Sequence, residues 1–236
     1  MSRRLFEPLL AGAQPGERLL ACVGAMIGIA LTFVVCAKLP LTGADLPIIV
    51  APLGASAVLV FAVPASPLAQ PWPVVGGNII STLVGVAAFK AIPQPAVAAG
   101  VAVGGAILIM SLLRCLHPPG GAAALTAVIG SHGVHDAGFA FAFAPVGINS
   151  IALVSVAMVF HRLSARSYPH RAAPPVPAPG LPPAGFHAAD IDAALADLHE
   201  SFDIAPGDLA ALLSRAEWHA ARRLSTPARR GGTLVQ

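Results

Sequence analysis

Almost no charged residues occur over a long central stretch of this chain. Between residues 19 and 189 the acidic residues are Asp45 and Asp136. The basic residues of that stretch are Lys38, Lys90, Arg114, Arg162, Arg166 and Arg171. A soluble domain carries roughly a quarter of its residues as charges, whereas this chain carries 11%. A surface so poor in charge suits lipid and not water, so the sequence predicts an integral membrane protein in contact with the lipid bilayer.

Prolines, glycines and the few charges divide this stretch into six apolar elements. They cover residues 19–37, 47–63, 74–92, 96–113, 118–130 and 141–163. A helix needs about 20 residues to cross the hydrocarbon core of a bilayer, so the second and fifth elements are short. The predicted fold class is an all-α polytopic membrane protein with four full spans plus two short or broken helices. Six spans are the alternative.

The two halves of this stretch resemble each other. Residues 52–57 read Pro-Leu-Gly-Ala-Ser-Ala and residues 119–124 read Pro-Gly-Gly-Ala-Ala-Ala, and a span follows each with Gly-x-Asn near its start. This predicts two pseudo-repeated halves of about three helical elements each, as in many transporters. Six spans would make the halves inverted, whereas two re-entrant elements would make them parallel and exchange the sides of Lys90 and Arg114. The basic residues favour cytoplasmic termini in both arrangements, so charge leaves the choice open.

The chain divides into five predicted segments. They are a cytoplasmic N-terminal segment (1–18), a transmembrane domain (19–168), a Pro-rich linker (169–187), a cytoplasmic segment of two short amphipathic helices (188–225) and a disordered tail (226–236). The predicted location is the inner membrane of a bacterium. Small-residue spans and amphipathic helices favour association, so a homodimer is a further expectation.

The most unusual segment begins at Arg114, where a cation and His117 precede Pro-Pro-Gly-Gly. A helix that starts with proline and small residues leaves its first turn open to a ligand, and unpaired amides at a helix start attract anions. The guanidinium suits a planar oxyanion. The matching asparagines of the two halves either line a pathway or bond across helices. The predicted substrate-binding residues are Arg114, His117, Pro118, Pro119, Gly120, Gly121, Ala122, Pro52, Gly54, Ala55, Ser56, Asn78 and Asn149.

Other classes of function find little support in the sequence. His132, His135 and Asp136 have the chemistry of metal ligands, but their setting is typical of a surface loop, so no metal site and no cofactor are predicted. The apolar part lacks paired carboxylates and any recognisable catalytic spacing, so no enzyme activity is predicted. Basic runs with interleaved aromatic residues are missing from the sequence, so nucleic acid is not an expected partner.

His117-Pro118-Pro119-Gly120-Gly121-Ala122 resembles the signature of the HPP family of membrane proteins. Residues 51–57, 67–72 and 76–78 resemble other blocks of that family, and the likeness covers about residues 17–170. The resemblance implies a small polytopic domain, usually described with four spans, and family members are associated with nitrite transport. Many bacterial members carry a pair of CBS domains. Residues 190–223 are similar to the connector before such a pair, but the chain stops before it, so nucleotide regulation is not carried over.

Three functional hypotheses follow from the sequence. The first is a transporter or channel for a small inorganic anion, with nitrite as the best single substrate, because the core is nearly free of the acids that cation pathways use. The second is a non-transporting membrane scaffold or sensor that signals through its C-terminal helices. The third is a transporter of another small solute.

Overall fold

The computed structural model describes residues 15–39, 45–172, 187–198 and 202–225. These belong to two units, Met1–His170 and Arg171–Gln236, which are described separately. All regular secondary structure in the described residues is helical, which confirms the predicted all-α class. The predicted N-terminal segment, Pro-rich linker and tail lie wholly or largely outside the described residues.

The described residues of the first unit form seven α-helices. They are α1 (Pro15–Ala37), α2 (Pro52–Ala62), α3 (Pro71–Ala91), α4 (Pro95–Leu112), α5 (Pro118–Ile129), α6 (His132–Ala137) and α7 (Ile148–Leu163). Short 3₁₀ turns lie at Pro67–Ala69 and Gly138–Ala142, and a π turn lies at Phe143–Gly147. The second unit contains α8 (Ala188–Leu198) and α9 (Pro206–Ser225).

Proline marks the start of most of these helices. The first helical residues are Pro15, Pro52, Pro71, Pro95, Pro118 and Pro206 in six of them. Proline suits this position because it lacks the amide hydrogen that the first turn would leave unbonded. Proline also interrupts the sixth apolar element, which was expected to form one helix over residues 141–163. Pro145 disfavours helical angles at Ala144, which has φ −131° and ψ 113°, and α7 begins only at Ile148.

Two sets of contacts define the two ends of the helical bundle. At the first, called here the Arg166 end, the Arg166 guanidinium lies 3.2 Å from the Glu17 carboxylate. The Tyr168 hydroxyl donates to the Ala69 carbonyl at the same end, over 2.9 Å. Burial raises the pKa of Tyr168, which keeps that hydroxyl protonated as a donor.

At the opposite end, called the Lys90 end, the Ser131 hydroxyl donates to the Asp45 carbonyl over 3.2 Å. The rings of Phe89 and His135 stack there with centroids 3.8 Å apart. The Lys90 side chain lies beside Gly138. The residues that follow α1 and α5, the end of α3 and the segment before α7 therefore meet at this end.

The chain crosses between these two ends six times in the described residues. Trp72, near the start of α3, donates to the Leu113 carbonyl after α4 over 3.2 Å, which places both at the Arg166 end. Between Asp45 and Ala69 the chain returns from the Lys90 end through α2, and α5 carries it forward again to Ser131. Helices α1, α2 and α3 thus alternate in direction, and α4, α5 and α7 follow the same sequence in reverse. The halves are inverted, and the arrangement with parallel halves is wrong.

Each half contributes its third helix to the other half's bundle. Helix α3 packs mainly against α4 and α5, whereas α7 packs mainly against α1 and also contacts α2. The short helices α2 and α5 also contact each other, as do α3 and α7. These contacts between α2 and α5 and between α3 and α7 join the two bundles at the centre of the unit.

Glycines permit the close approach of these helices. A Cβ atom at Gly85 of α3 would overlap the Ala124 carbonyl oxygen of α5. In the other bundle, Gly24 and Gly28 of α1 lie against the Phe61 ring of α2. Membrane helices gain little from the hydrophobic effect when they associate, so close backbone approach supplies much of their packing energy.

The outer surface of the first unit is apolar. Large hydrophobic side chains on α1 and α4 are widely exposed, among them Met26 at 72%, Leu108 at 60% and Leu112 at 73%. Among the described residues, four helical stretches have the length and composition of membrane spans: Gly16–Ala37, Pro71–Ala91, Pro95–Leu112 and His132–Leu163. This surface is suited to lipid, and α2 and α5 are the two shorter crossings.

The second unit pairs α8 with α9. The Asp190 carboxylate accepts a hydrogen bond from the His187 amide over 2.8 Å, so it caps the start of α8. Apolar residues of both helices surround a cavity of about 480 Å³. Its lining includes Ile191, Leu195, Leu198, Phe202, Leu209 and Leu213.

Cysteine labelling tests the six crossings. Ala65 and Ser131 are both exposed and lie at opposite ends of the bundle, so single cysteines placed there should react with an impermeant maleimide from opposite sides of the membrane. The background would be a Cys22→Ser, Cys36→Ser, Cys115→Ala variant. Labelling of both positions from the same side would contradict the inverted arrangement and restore two re-entrant elements.

Substitution of Gly85 tests the contact of α3 with α5. Gly85→Ala should destabilise the protein by about 1–3 kcal/mol, because the new methyl group meets rigid backbone of α5. The measurement is thermal unfolding in detergent. The matched control is Gly100→Ala on α4, where a Cβ atom would find no neighbour within 4 Å. Equal unfolding temperatures for the two variants would contradict this packing.

Candidate functional site

A small group of polar side chains is buried inside this apolar bundle. Several of them meet where α2, α3, α5 and α7 converge. The buried polar residues of the first unit include Ser56, Asn78, Ser81, Thr82, His117, Asn149 and Ser150, all at 2% exposure or less. Polar groups at membrane depth are expensive to bury and therefore mark functional positions or essential helix contacts.

His117 lies at the centre of this group. It precedes Pro118, and its extended angles, φ −139° and ψ 108°, are those that a following proline favours. Its Nδ1 atom lies 2.9 Å from the Leu68 carbonyl oxygen. Its Nε2 atom lies 2.8 Å from the Ser56 Oγ atom. Because a carbonyl can only accept, Nδ1 carries the proton, and in the neutral ring Nε2 accepts from the Ser56 hydroxyl.

The chain of hydrogen bonds continues from Ser56 through Asn78 to Ser150. The Asn78 Nδ2 atom lies 3.3 Å from Ser56 Oγ and 3.1 Å from Ser150 Oγ. The Ser150 hydroxyl in turn donates to the Val146 carbonyl over 2.9 Å. Both serine protons thus have other acceptors, so both serine oxygens accept from Asn78, which fixes the orientation of its amide. Residues from α2, α3 and α7, together with His117 just before α5, form one continuous network.

One atom of this network has no hydrogen-bond partner. The Asn78 Oδ1 atom is buried and unpaired, while the other end of the same amide makes two bonds. A buried unpaired acceptor costs about 1–3 kcal/mol unless a water molecule or a ligand donates to it. The network therefore presents an acceptor that a bound molecule could satisfy.

Asn149, the counterpart of Asn78 in the other half, is fully bonded. Its Oδ1 atom accepts from the Val50 amide over 2.9 Å, and its Nδ2 atom donates to the Ile48 carbonyl over 3.0 Å. The same nitrogen lies 3.1 Å from the Cys36 sulfur. Asn149 therefore ties α7 to α1 and to the backbone that leads into α2. The two matching asparagines have different roles, because Asn149 satisfies backbone groups and Asn78 bonds only side chains.

The expectation that free backbone amides line both helix starts is wrong at several positions. Pro118 and Pro119 have no amide hydrogen, and the Gly120 amide donates to the His117 carbonyl over 2.8 Å. At the start of α2, the Leu53 and Gly54 amides donate to the Val50 and Ala51 carbonyls, each over 3.0 Å. The first turns therefore use these amides themselves, and the hydrogen-bonding groups of the central network are side chains.

The predicted site residues separate into three groups. His117, Ser56 and Asn78 are joined in the network, and Asn149 bonds elsewhere as described. Buried small residues beside the network are Pro52, Pro119 and Gly120, with Gly121 partly buried; Gly54, Ala55, Pro118 and Ala122 are exposed. Ser150 and Leu68 also contact the network, and neither was predicted from the sequence. The available signal for Ser150 was its position directly after Asn149 in the repeated Gly-x-Asn segment. The Leu68 group is a backbone carbonyl, and a backbone carbonyl gives no signal in the sequence.

Arg114 lies outside the network. It is exposed, follows α4, and adopts a left-handed conformation with φ 54°. The Cys115 amide donates back to the Met110 carbonyl over 2.9 Å, which ends the helix in the manner of a Schellman turn. Arg114 therefore places a cation near the Arg166 end, three residues before His117, and also shapes the turn between α4 and α5.

Removing the Asn149 amide tests its structural role. Asn149→Ala should leave the Val50 amide and the Ile48 carbonyl unpaired, at a cost of about 1–3 kcal/mol for each group. Thermal unfolding in detergent would measure the loss. The control is Ser155→Ala on the same helix, whose exposed hydroxyl bonds only the Ile151 carbonyl in its own turn. An unchanged unfolding temperature for Asn149→Ala would mean that water replaces these bonds.

Comparison with known proteins supports a membrane protein. Two curated transmembrane proteins of Dictyostelium discoideum are similar to this chain. One is 37% identical over 131 residues, which cover 53% of this chain and 46% of the relative. The other is 40% identical over 120 residues, which cover 49% of this chain and 38% of the relative. The chain thus spans less than half the length of these relatives. No solved structure matches.

The family comparison covers almost all of the first unit. The family model described as "HPP, transmembrane region" matches residues 11–169, which include the central network and both short helices. Since the match extends over more than half of the chain, the protein is a member of the HPP family of transmembrane proteins.

Proposed function

We propose that the protein is a membrane transporter or channel for a small inorganic anion, with nitrite as the substrate. The observation that carries the proposal is the buried network of His117, Ser56, Asn78 and Ser150 at the centre of two inverted halves. Inverted repeats with short helices at their interface are a recurring design of transporters, in which the substrate lies between the halves. The association of HPP proteins with nitrite transport supports the choice of substrate.

The distribution of charge favours an anion. Among the described residues, no acid lies within the network, and Asp45 and Asp136 lie at the Lys90 end. Cation pathways through membranes commonly use buried carboxylates. Hydroxyl, amide and imidazole groups can all donate to an oxyanion, and the exposed Arg114 would raise the local concentration of anions near the Arg166 end.

The basic residues also orient the proposed transporter. More basic residues lie near the Arg166 end than near the Lys90 end. Those near the Arg166 end are Arg18, Arg114, Arg162 and Arg166, and those near the Lys90 end are Lys38 and Lys90. Under the positive-inside rule, this distribution supports a cytoplasmic location for the Arg166 end. The bacterial inner membrane remains the proposed location, and association into a homodimer remains a prediction.

The second unit supports an alternative. Its apolar cavity of about 480 Å³ has the size of a ligand or helix-binding site. A non-transporting scaffold or sensor would use α8 and α9 as its output. Such a protein would need the second unit for its activity and would tolerate changes in the central network.

Flux into liposomes tests these functions. The purified protein should carry nitrite, and His117→Ala should lower the rate at least about tenfold because it removes both ring hydrogen bonds. Arg114→Ala should raise the nitrite concentration needed for half-maximal rate. Ser155→Ala and deletion of residues 184–236 are controls expected to retain flux.

Different outcomes separate the hypotheses. If neither nitrite nor any other small anion were transported, the anion-transporter hypothesis would be excluded. Flux of another solute that nitrite does not compete with would indicate a different substrate. A cellular phenotype from deletion of residues 184–236, with none from His117→Ala, would favour the scaffold or sensor.

A further inference from the structure

The hydroxyl group of Ser56 has two acceptors within reach. Besides His117 Nε2 at 2.8 Å, the Pro52 carbonyl oxygen in the preceding turn of α2 lies 3.4 Å from Ser56 Oγ. If a proton binds Nε2, that nitrogen becomes a donor to Ser56 Oγ, and the serine proton can turn to Pro52. The network can therefore gain one proton without leaving any of its present groups unpaired.

Among the described residues, no acidic side chain lies near His117 to balance that proton. The elements against the ring are α2, the 3₁₀ turn at Pro67–Ala69, α3 and the segment after α4. Their titratable groups in the described residues are Lys90 at the far end of α3, the buried Cys115 thiol and the exposed Arg114. None is an acid. A buried imidazolium alone would be an uncompensated charge in hydrocarbon, which is strongly unfavourable.

The same argument applies to a bound anion. The network offers neutral hydrogen-bonding groups and no fixed positive charge, since Arg114 is exposed outside it. An anion and a proton that bind together form a neutral pair, and the desolvation cost of each is offset by the other. Resting on the proposed function, we infer that the site binds an anion and a proton together, with His117 Nε2 as the proton acceptor, and that transport is electroneutral proton–anion symport.

The unpaired acceptor of Asn78 supports this inference independently. An unprotonated oxyanion has no hydrogen to donate to Asn78 Oδ1, which is buried without a partner. A protonated oxyacid, or a water molecule that accompanies the anion, can donate to it. When Nε2 is protonated, the Ser56 hydroxyl is released from it and can donate to the anion, while His117 Nε2 and Asn78 Oδ1 are the acceptors for the proton.

The proton transfer is balanced and reversible. A proton from water on the side of entry forms an N–H bond at His117 Nε2, and the Ser56 hydroxyl exchanges one acceptor for another. On the side of release the N–H bond breaks, the proton returns to water, and the serine bond to Nε2 forms again. No group is oxidised or reduced, and the net charge moved with each anion is zero.

Reconstituted full-length protein tests the coupling. Liposomes with an internal pH indicator would receive nitrite, with a pH gradient and a potassium–valinomycin potential varied separately. Protein-free liposomes give the background from nitrous acid that crosses lipid unaided. The expected result is one proton taken up with each nitrite, accumulation of about tenfold for a gradient of one pH unit, and no response to the potential.

Two matched histidine variants complete the test. His117→Asn keeps a donor for the Leu68 carbonyl and removes the titratable nitrogen, so it should abolish accumulation driven by the pH gradient. His161→Gln changes a second buried histidine, which bonds the Val60 carbonyl outside the network, and should accumulate nitrite like the wild type. Size-exclusion profiles would confirm that both variants fold.

The outcomes distinguish this inference from the proposed function. Nitrite flux that follows the membrane potential and moves no protons would overturn the coupling and leave nitrite transport standing. The coupling through His117 would also be overturned if the His117→Asn and His161→Gln variants accumulated nitrite equally in response to the pH gradient. If the wild type transported no anion at all, both the proton coupling and the proposed anion transport would be excluded. The stoichiometry measured on the wild type decides the question even if His117→Asn proves unstable.

Discussion

The hydrocarbon core of a bilayer provides no hydrogen-bond partner, so every polar group inside this protein must find one within the chain. This constraint explains the most specific contacts of the first unit. Asn149 bonds backbone groups about a hundred positions away in sequence, at Val50 and Ile48. His117 reaches the Leu68 carbonyl and the Ser56 hydroxyl. Among the described residues, the buried side-chain atoms without a partner are Thr32 Oγ1, Asn78 Oδ1 and His161 Nδ1, and Asn78 Oδ1 is the one that belongs to the central network.

The inverted repeat determines the arrangement of the helices, and the polar network arises where the two halves differ. Both halves place an asparagine near the start of their third helix, yet only Asn149 serves the backbone. At the corresponding place in the first half, Gly77 lies against His117 and the Cys115 carbonyl, and the Asn78 side chain bonds to Ser56 and Ser150 instead. An inverted repeat that remained fully symmetrical would have no such concentration of polar groups on one side of its centre.

Much of this architecture could be predicted from the sequence. Charge depletion identified the membrane part, prolines marked the helix starts, and the repeated Gly-x-Asn segments identified the halves. The choice between parallel and inverted halves could not be made, because the basic residues fit both and only contacts such as Ser131 with Asp45 decide it. The prediction of free amides at the helix starts was wrong for a local reason. Pro118 and Pro119 have no amide hydrogen, and the Gly120 amide donates to the His117 carbonyl. Ser150 was missed although it directly follows Asn149, because its counterpart in the first half is the apolar residue Ile79.

The exchange of third helices between the halves has a consequence for biogenesis. A ribosome delivers α1, α2 and α3 to the membrane before α4 and α5, against which α3 packs, have been made. Helix α1 likewise lacks α7 until the end of the domain emerges. Insertion and tertiary assembly are therefore separated in time, and the first half must persist in lipid as an open intermediate. The two halves could not separate into independent units without α3 and α7 each losing most of its packing partners, so the exchange holds the halves together.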